Sequence, residues 1–204
     1  MILEACVGEF NQVPKAIARG ANRLELNADL AQGGITPSLG VIQATVQYAH
    51  HHHTPVIVML RPRGRNFIYN TTEIEIMRND AKLIAQSGAD GVAVGILTSG
   101  KQINYDALLY VLKDLPLERV FHMAFDEIKN QEQAINWLIK HKFQRILTHG
   151  GPLDQPLNIK HLQELTCIAQ QQITILPGGG ITKNNVNDIA QLLGLKEAHG
   201  TKIV

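Results

Sequence analysis

Short apolar runs alternate along this chain with longer segments whose apolar residues recur at helical spacing, each run following the last by about 20 to 35 residues. The runs near 2–7, 23–27, 55–61, 91–95, 119–124, 145–148, 173–177 and 197–203 predict strands, and the segments 11–19, 38–52, 72–87, 104–114, 130–141, 157–171 and 183–193 predict helices. Glycines in Arg19-Gly20-Ala21-Asn22-Arg23, Ser87-Gly88-Ala89-Asp90-Gly91 and Leu193-Gly194-Leu195-Lys196-Glu197 stand where a left-handed cap ends a helix before the next strand. This quasi-repeat of βα units predicts an α/β chain forming one TIM (β/α)8-type barrel over 1–204, without an eighth helix. A last strand lacking its covering helix exposes apolar surface, which predicts a homo-oligomer, most simply a dimer.

Composition narrows the function. With 45% hydrophobic and 18% charged residues and a net charge of +1, the chain has a large core and no basic excess for nucleic acid or an acidic membrane surface. No apolar stretch approaches the roughly 20 residues of a membrane span, and residues 1–7 read as a strand rather than a signal peptide, so a cytoplasmic location is expected. Cys6 and Cys167 stand far apart as reduced thiols, Cys167 read as packing within the sixth helix. The expected partner is small.

Candidate chemistry gathers at the C-terminal ends of the strands, where barrel sites lie. In Ile173-Thr174-Ile175-Leu176-Pro177-Gly178-Gly179-Gly180-Ile181-Thr182 a β-branched run enters three glycines and an apparent helix, a turn whose N–H groups can cradle phosphate; Gly178, Gly179 and Gly180 are therefore candidate anion ligands. Leu60-Arg61-Pro62-Arg63-Gly64-Arg65 adds guanidinium groups, so Arg61 and Arg63, with Thr148 at the end of strand 6, join that set. Alternation puts Glu4 with Cys6, Glu25 with Asn27, and Met59 with Arg61 on single faces of their strands. Glu4, Glu25, Arg61 and His122 could form a charge-balanced cluster, either structural or catalytic, with Glu4, Glu25, His122 and Asp126 as acid/base candidates. Ser38 is placed to cap the second helix, Met123 falls opposite His122 and reads as core, and no nucleophile elbow, dinucleotide fingerprint or paired CxxC occurs.

Glu4-Ala5-Cys6-Val7, Arg23-Leu24-Glu25-Leu26, Gly33-Gly34-Ile35-Thr36-Pro37-Ser38, Arg61-Pro62-Arg63-Gly64, Gly88-Ala89-Asp90-Gly91, His122-Met123-Ala124-Phe125-Asp126, Leu147-Thr148 and Pro177-Gly178-Gly179-Gly180-Ile181 together resemble the CutC copper homeostasis family over nearly the whole chain. The resemblance implies a cytoplasmic TIM barrel, often oligomeric, that handles copper and binds Cu(I), with no reaction implied. Cys6, Met59 and His199 are then the soft candidate ligands, with His149 nearby. Two positions depart from the family pattern: Asn27 stands where a cysteine is frequent, which leaves Cu(I) a poorer ligand set, and Met123 stands where an arginine is frequent after the strand-5 histidine. The run His50 to His53 lies at the opposite end of the barrel, where it offers incidental affinity for Ni²⁺ or Cu²⁺.

Two readings follow. One is a copper-homeostasis protein binding Cu(I) through Cys6. The other is a TIM-barrel enzyme acting on a small phosphorylated or carboxylated metabolite, held by Arg61, Arg63 and the glycine turn and worked on by Glu4, Glu25, His122 or Asp126. A barrel kept only as an interaction scaffold is a third and weaker reading, because it leaves a polar interior without purpose.

Overall fold

The computed structural model describes residues 1–204. Eight parallel strands, β1 (Ile2–Val7), β2 (Arg23–Leu26), β3 (Val56–Met59), β4 (Gly91–Val94), β5 (Glu118–Phe121), β6 (Arg145–Thr148), β7 (Thr174–Pro177) and β8 (Glu197–Gly200), lie in the order β7-β6-β5-β4-β3-β2-β1-β8. Seven helices, α1 (Val13–Ala18), α2 (Leu39–His51), α3 (Thr71–Gln86), α4 (Tyr105–Leu112), α5 (Gln131–Lys140), α6 (Ile159–Ala169) and α7 (Val186–Leu193), alternate with them. The predicted TIM-type barrel is therefore present, without an eighth helix. It closes through β8 on β1, Ile2 opposite Glu197 and Ala5 opposite Gly200. One seam remains between β7 and β8, which share no ladder; beyond their ends a bridge pairs Thr182 with Lys202, and the Lys183 N–H donates to the Lys202 carbonyl at 2.9 Å.

Strands of a closed parallel barrel are buried on both faces, and every residue of β2, β3 and β4 is buried. Their outward side chains, among them Leu24, Leu26, Val58 and Val94, pack with the apolar helix faces into the outer core. Inward, Ile57, Met59, Ala93, Val120, Leu147 and Leu176 form a separate apolar cluster from β3 to β7. The strands β1, β2 and β8 contribute the buried ionisable groups Glu4, Arg23, Glu25 and His199. The barrel interior is thus apolar on one side and ionic on the other. Helix starts are fixed by side-chain caps: Ser38, Asn70, Asn104, Asn130 and Asn158 each accept the N–H three residues on, and Glu73 completes a capping box with Asn70.

Three expectations are corrected. The fifth strand ends at Phe121 rather than 124, because the His122 ring accepts the Ala124 N–H at 3.1 Å and starts a 3-10 turn over Met123–Glu127. Strand alternation therefore stops before Met123, which lines the barrel mouth beside His122 instead of packing opposite it. Cys167 lies on the exposed face of α6 and is not packed. The uncovered β8 is less bare than expected: Ala198 and Ile203 are buried, and Val204 borders an open groove with Leu3, Arg19 and Val186.

Candidate functional site at the barrel mouth

The ionic side of the barrel is a chain of contacts built from alternate residues of neighbouring strands. Glu4 pairs with the Arg23 guanidinium and accepts a hydrogen bond from His199 Nδ1 at 2.8 Å. Arg23 also reaches Glu197 at 2.6 Å, and Glu197 accepts from Arg145 at 2.7 Å, which links β2, β8 and β6. One layer nearer the mouth, Glu25 accepts from Asn27 Nδ2 at 2.9 Å and lies 3.8 Å from His199 Nε2. The same Asn27 amide lies 3.4 Å from Cys6 Sγ. Ligand atoms of Cys6, Glu25 and His199 fall within 4.8 Å of one another.

Burial opposes charge at every one of these groups, and the outcome at each depends on whether its partners outweigh burial. For Glu4, burial acts upward, but the His199 hydrogen bond and the charges of Arg23 and His199 outweigh it and hold the carboxyl at about 2. For Glu25, burial dominates and raises the pKa, helped by the charge of Glu4 and opposed by that of His199. Burial alone would lower His199, but the charge of Glu25 and the contacts with Cys6 and Glu4 lift it well above its ordinary value. Burial pushes the Cys6 thiol up to about 11, against the pull of His199.

Beside this cluster is a small cavity of about 90 Å³, walled by Glu25, His199, Arg61, His122 and the apolar side chains of Met59, Phe67, Met123 and Leu147. Arg61 is buried, and its Nη1 donates to the carbonyls of Gly33 and Gly34 at 3.0 and 3.1 Å. Those two glycines hold φ of 82° and 83°, a conformation that turns their loop over the guanidinium. Phe67 packs against both Arg61 and His122, 4.7 Å from the Arg61 guanidinium and 5.0 Å from the His122 ring. Burial, with the Arg61 charge adding to it, lowers His122 to about 3, so the ring is neutral.

The structure brings together Glu4, Cys6, Glu25, Met59, Arg61, His122 and His199, but not as one charge-balanced set. The cations that satisfy Glu4 are Arg23 and His199; neutral His122 and Arg61 stand apart from it. Four other candidates are engaged elsewhere. Asp126 accepts from the Thr148 hydroxyl at 2.5 Å and from the N–H groups of His149, Gly150 and Gly151 at 3.0 to 3.2 Å, so both Asp126 and Thr148 hold the loop after β6. Burial raises Asp126 in spite of these donors. Arg63 pairs with Glu73 at 2.6 Å and donates to the Ile68 carbonyl at 2.8 Å, fixing the start of α3. His149 lies between the carbonyls of Gly178 and Gln155, 3.0 Å from each.

The glycine triplet is placed differently from its expected role. Gly178 passes so close to Leu147, Met123 and His199 that a Cβ there would meet them at 2.7 to 3.2 Å. Gly179 and Gly180 take φ of 80° and 82°, but α7 begins only at Val186, so the turn does not open onto a helix. The four histidines stand at the far end, as expected, where His50 pairs with Asp90 at 2.8 Å and His52 stacks on Tyr48. Arg23 and Glu197 escaped the sequence reading although each lies two residues from a chosen residue on the same strand face, a signal that alternation carries. Phe67 offered no signal, since its position is set by a loop.

The family profile described as CutC family matches residues 1–204. A CutC family protein of Enterococcus faecalis is 46% identical over the full length of both chains. The human protein named "Copper homeostasis protein cutC homolog" is 36% identical over 97% of this chain and 72% of its own. Among solved structures, CutC from Streptococcus agalactiae superposes with a TM-score of 0.95 at 39% identity, covering all of both chains. An aldolase, QR15, reaches a TM-score of 0.72 at 14% identity over 98% of this chain and 89% of its own, a likeness of fold alone. Profile, relatives and backbone agree over the whole length, and the chain belongs to the CutC family.

Proposed function

We propose that this protein serves copper homeostasis in the cytoplasm by holding Cu(I) at the Cys6–His199 pair, with the Met59 thioether as a third soft donor. The observation that carries this reading is the fixed His199 ring. Its Nδ1 donates to the buried Glu4 carboxylate at 2.8 Å, the carboxylate–histidine arrangement that orients metal-binding imidazoles. Its other nitrogen lies in the cluster with Cys6 and Glu25. A thiolate and an imidazole suit Cu(I), and Met59 lines the adjoining cavity together with His199. The names carried by the human and mouse relatives support the same role.

In the metal-free protein the protons on Cys6 and on His199 Nε2 must both be displaced for sulfur and imidazole to ligate, so Cu(I) affinity rises with pH. The test is competition against a chromophoric Cu(I) chelator under reducing conditions, in protein whose His50, His51, His52 and His53 are replaced by Ala. One Cu(I) per chain is expected, with at least a tenfold loss of affinity in Cys6→Ala. Retention of that binding by Cys6→Ala, or its disappearance with the four histidines alone, overturns the assignment.

A further inference from the structure

Two buried side-chain nitrogens at the mouth, Arg61 Nε and His122 Nε2, have no hydrogen-bond partner. Both are donors. Arg61 carries a hydrogen on Nε in any state, and His122 Nδ1 already accepts the Ala124 N–H at 3.1 Å, which leaves the ring hydrogen on Nε2. Buried donors without acceptors are rare and costly, and here two of them belong to residues on the wall of one cavity. No other residue of that wall accepts from either nitrogen; the Tyr69 hydroxyl, also without a partner, stands by the Arg61 guanidinium from outside the wall and is the acceptor a ligand must displace.

We infer that this cavity is a binding site for a short carboxylate, one of whose oxygens accepts from Arg61 Nε–H and His122 Nε2–H. The remaining Arg61 nitrogens are committed to the loop carbonyls, Nη1 to Gln32, Gly33 and Gly34 and Nη2 to Arg65, so the guanidinium offers its Nε edge. The cavity volume of about 90 Å³ equals roughly three waters at ~30 Å³ each, room for the carboxylate and first carbons of a short acid whose remainder reaches the open mouth. Met59, Phe67, Met123 and Leu147 supply apolar walls for the carbon chain. Glu25 and His199 also line it, a hydrogen-bonding pair for a 2-hydroxyl or 2-oxo group of such an acid. A phosphate ester fits less well, because Arg63, Thr148 and the glycines at 178–180 are outside the cavity wall. The cavity shares Met59 and His199 with the proposed copper site, but the two donors that carry the inference, on Arg61 and His122, are not copper ligands.

The test uses the intact protein with a Cu(I) chelator present, so its outcome is separate from that of the copper reading. Pyruvate, lactate, pyruvamide and inorganic phosphate are titrated while thermal unfolding and the ¹³C-methyl signals of Met59 and Met123 are followed. Pyruvate or lactate is expected to raise the unfolding midpoint with concentration and to shift both methyl signals, while pyruvamide and phosphate do neither. His122→Leu, which removes the Nε2 donor at similar volume, is expected to lose at least tenfold in affinity, alongside a lower unfolding midpoint because the Ala124 N–H loses its acceptor. Methyl signals that stay still under both acids, equal binding by His122→Leu, or equal shifts with phosphate overturn the proposal; the methyl readout on the unmutated chain decides it even if that variant fails to fold.

Discussion

His122 is the side chain whose burial has the clearest consequence for pH. Its folded pKa of about 3 lies below the ordinary 6.5 because burial and the Arg61 charge both disfavour the imidazolium. The unfolded chain therefore binds a proton below about 6.5 that the folded chain refuses until about 3. Stability contributed by neutral His122 is complete above that upper value and falls by roughly 1.4 kcal/mol per pH unit beneath it. Glu4, lowered from 4.5 to about 2, continues the loss in the same direction at lower pH. Urea midpoints should fall between about pH 7 and pH 5 in the native sequence and fall less in His122→Leu; equal slopes would place the acid sensitivity elsewhere. A second residue-scale prediction concerns Asn27, whose amide stands 3.4 Å from Cys6 Sγ. Asn27→Cys puts a second thiol beside the first and should raise Cu(I) affinity at least tenfold in the chelator competition. Unchanged affinity would separate Cys6 from the copper site.

At the scale of elements, what alternation could reach was legible and what turns decide was not. The inward faces of β1, β2 and β8 follow from period two, and that pattern alone puts Glu4, Cys6, Glu25 and His199 on them. The end of β5 was not legible. A histidine ring that captures a backbone N–H two residues on terminates the strand, and that bond places Met123 at the mouth, packed against the inner apolar cluster, and takes Asp126 away from the cavity. Asp126 sits in a 3-10 turn whose purpose emerges only with β6 beside it: one carboxylate receives a hydroxyl and three N–H groups from 148–151. Asp126→Ala removes every acceptor at once and leaves buried donors unpaired, so it should cost about 3 kcal/mol or more in urea unfolding. A cost below about 1 kcal/mol would mean that water satisfies the loop equally well.

For the molecule as a whole, the division of the barrel interior explains both the site and a weakness. Apolar side chains from β3 to β7 fill one half, so the charged groups of β1, β2 and β8 pair with one another and, at the base, with Arg145 of β6, and the space left between the halves opens at the C-terminal mouth. The same ionic half bridges the one seam without ladder hydrogen bonds. Glu197 on β8 accepts from Arg23 of β2 and from Arg145 of β6, reaching past β7 on the side where strand pairing is missing. Burial acts to raise Glu197, but Arg145 and Arg23 bring it below the ordinary carboxylate range, so it is ionised wherever the barrel is folded near neutrality. Its neutral amide counterpart, Glu197→Gln, keeps the shape but removes the charge shared by two arginines, each of which retains a second carboxylate, Glu4 for Arg23 and Glu118 for Arg145. The global fold should therefore survive with a loss of about 1–2 kcal/mol. The local effect should be larger at the seam: amide exchange in β7 and β8 should quicken relative to β3 and β4, whose ladder is intact. If exchange quickens uniformly, the barrel opens as one unit and the seam is held by the Thr182–Lys202 bridge; if it quickens at the seam alone, closure of this barrel depends on side-chain charge where backbone pairing stops.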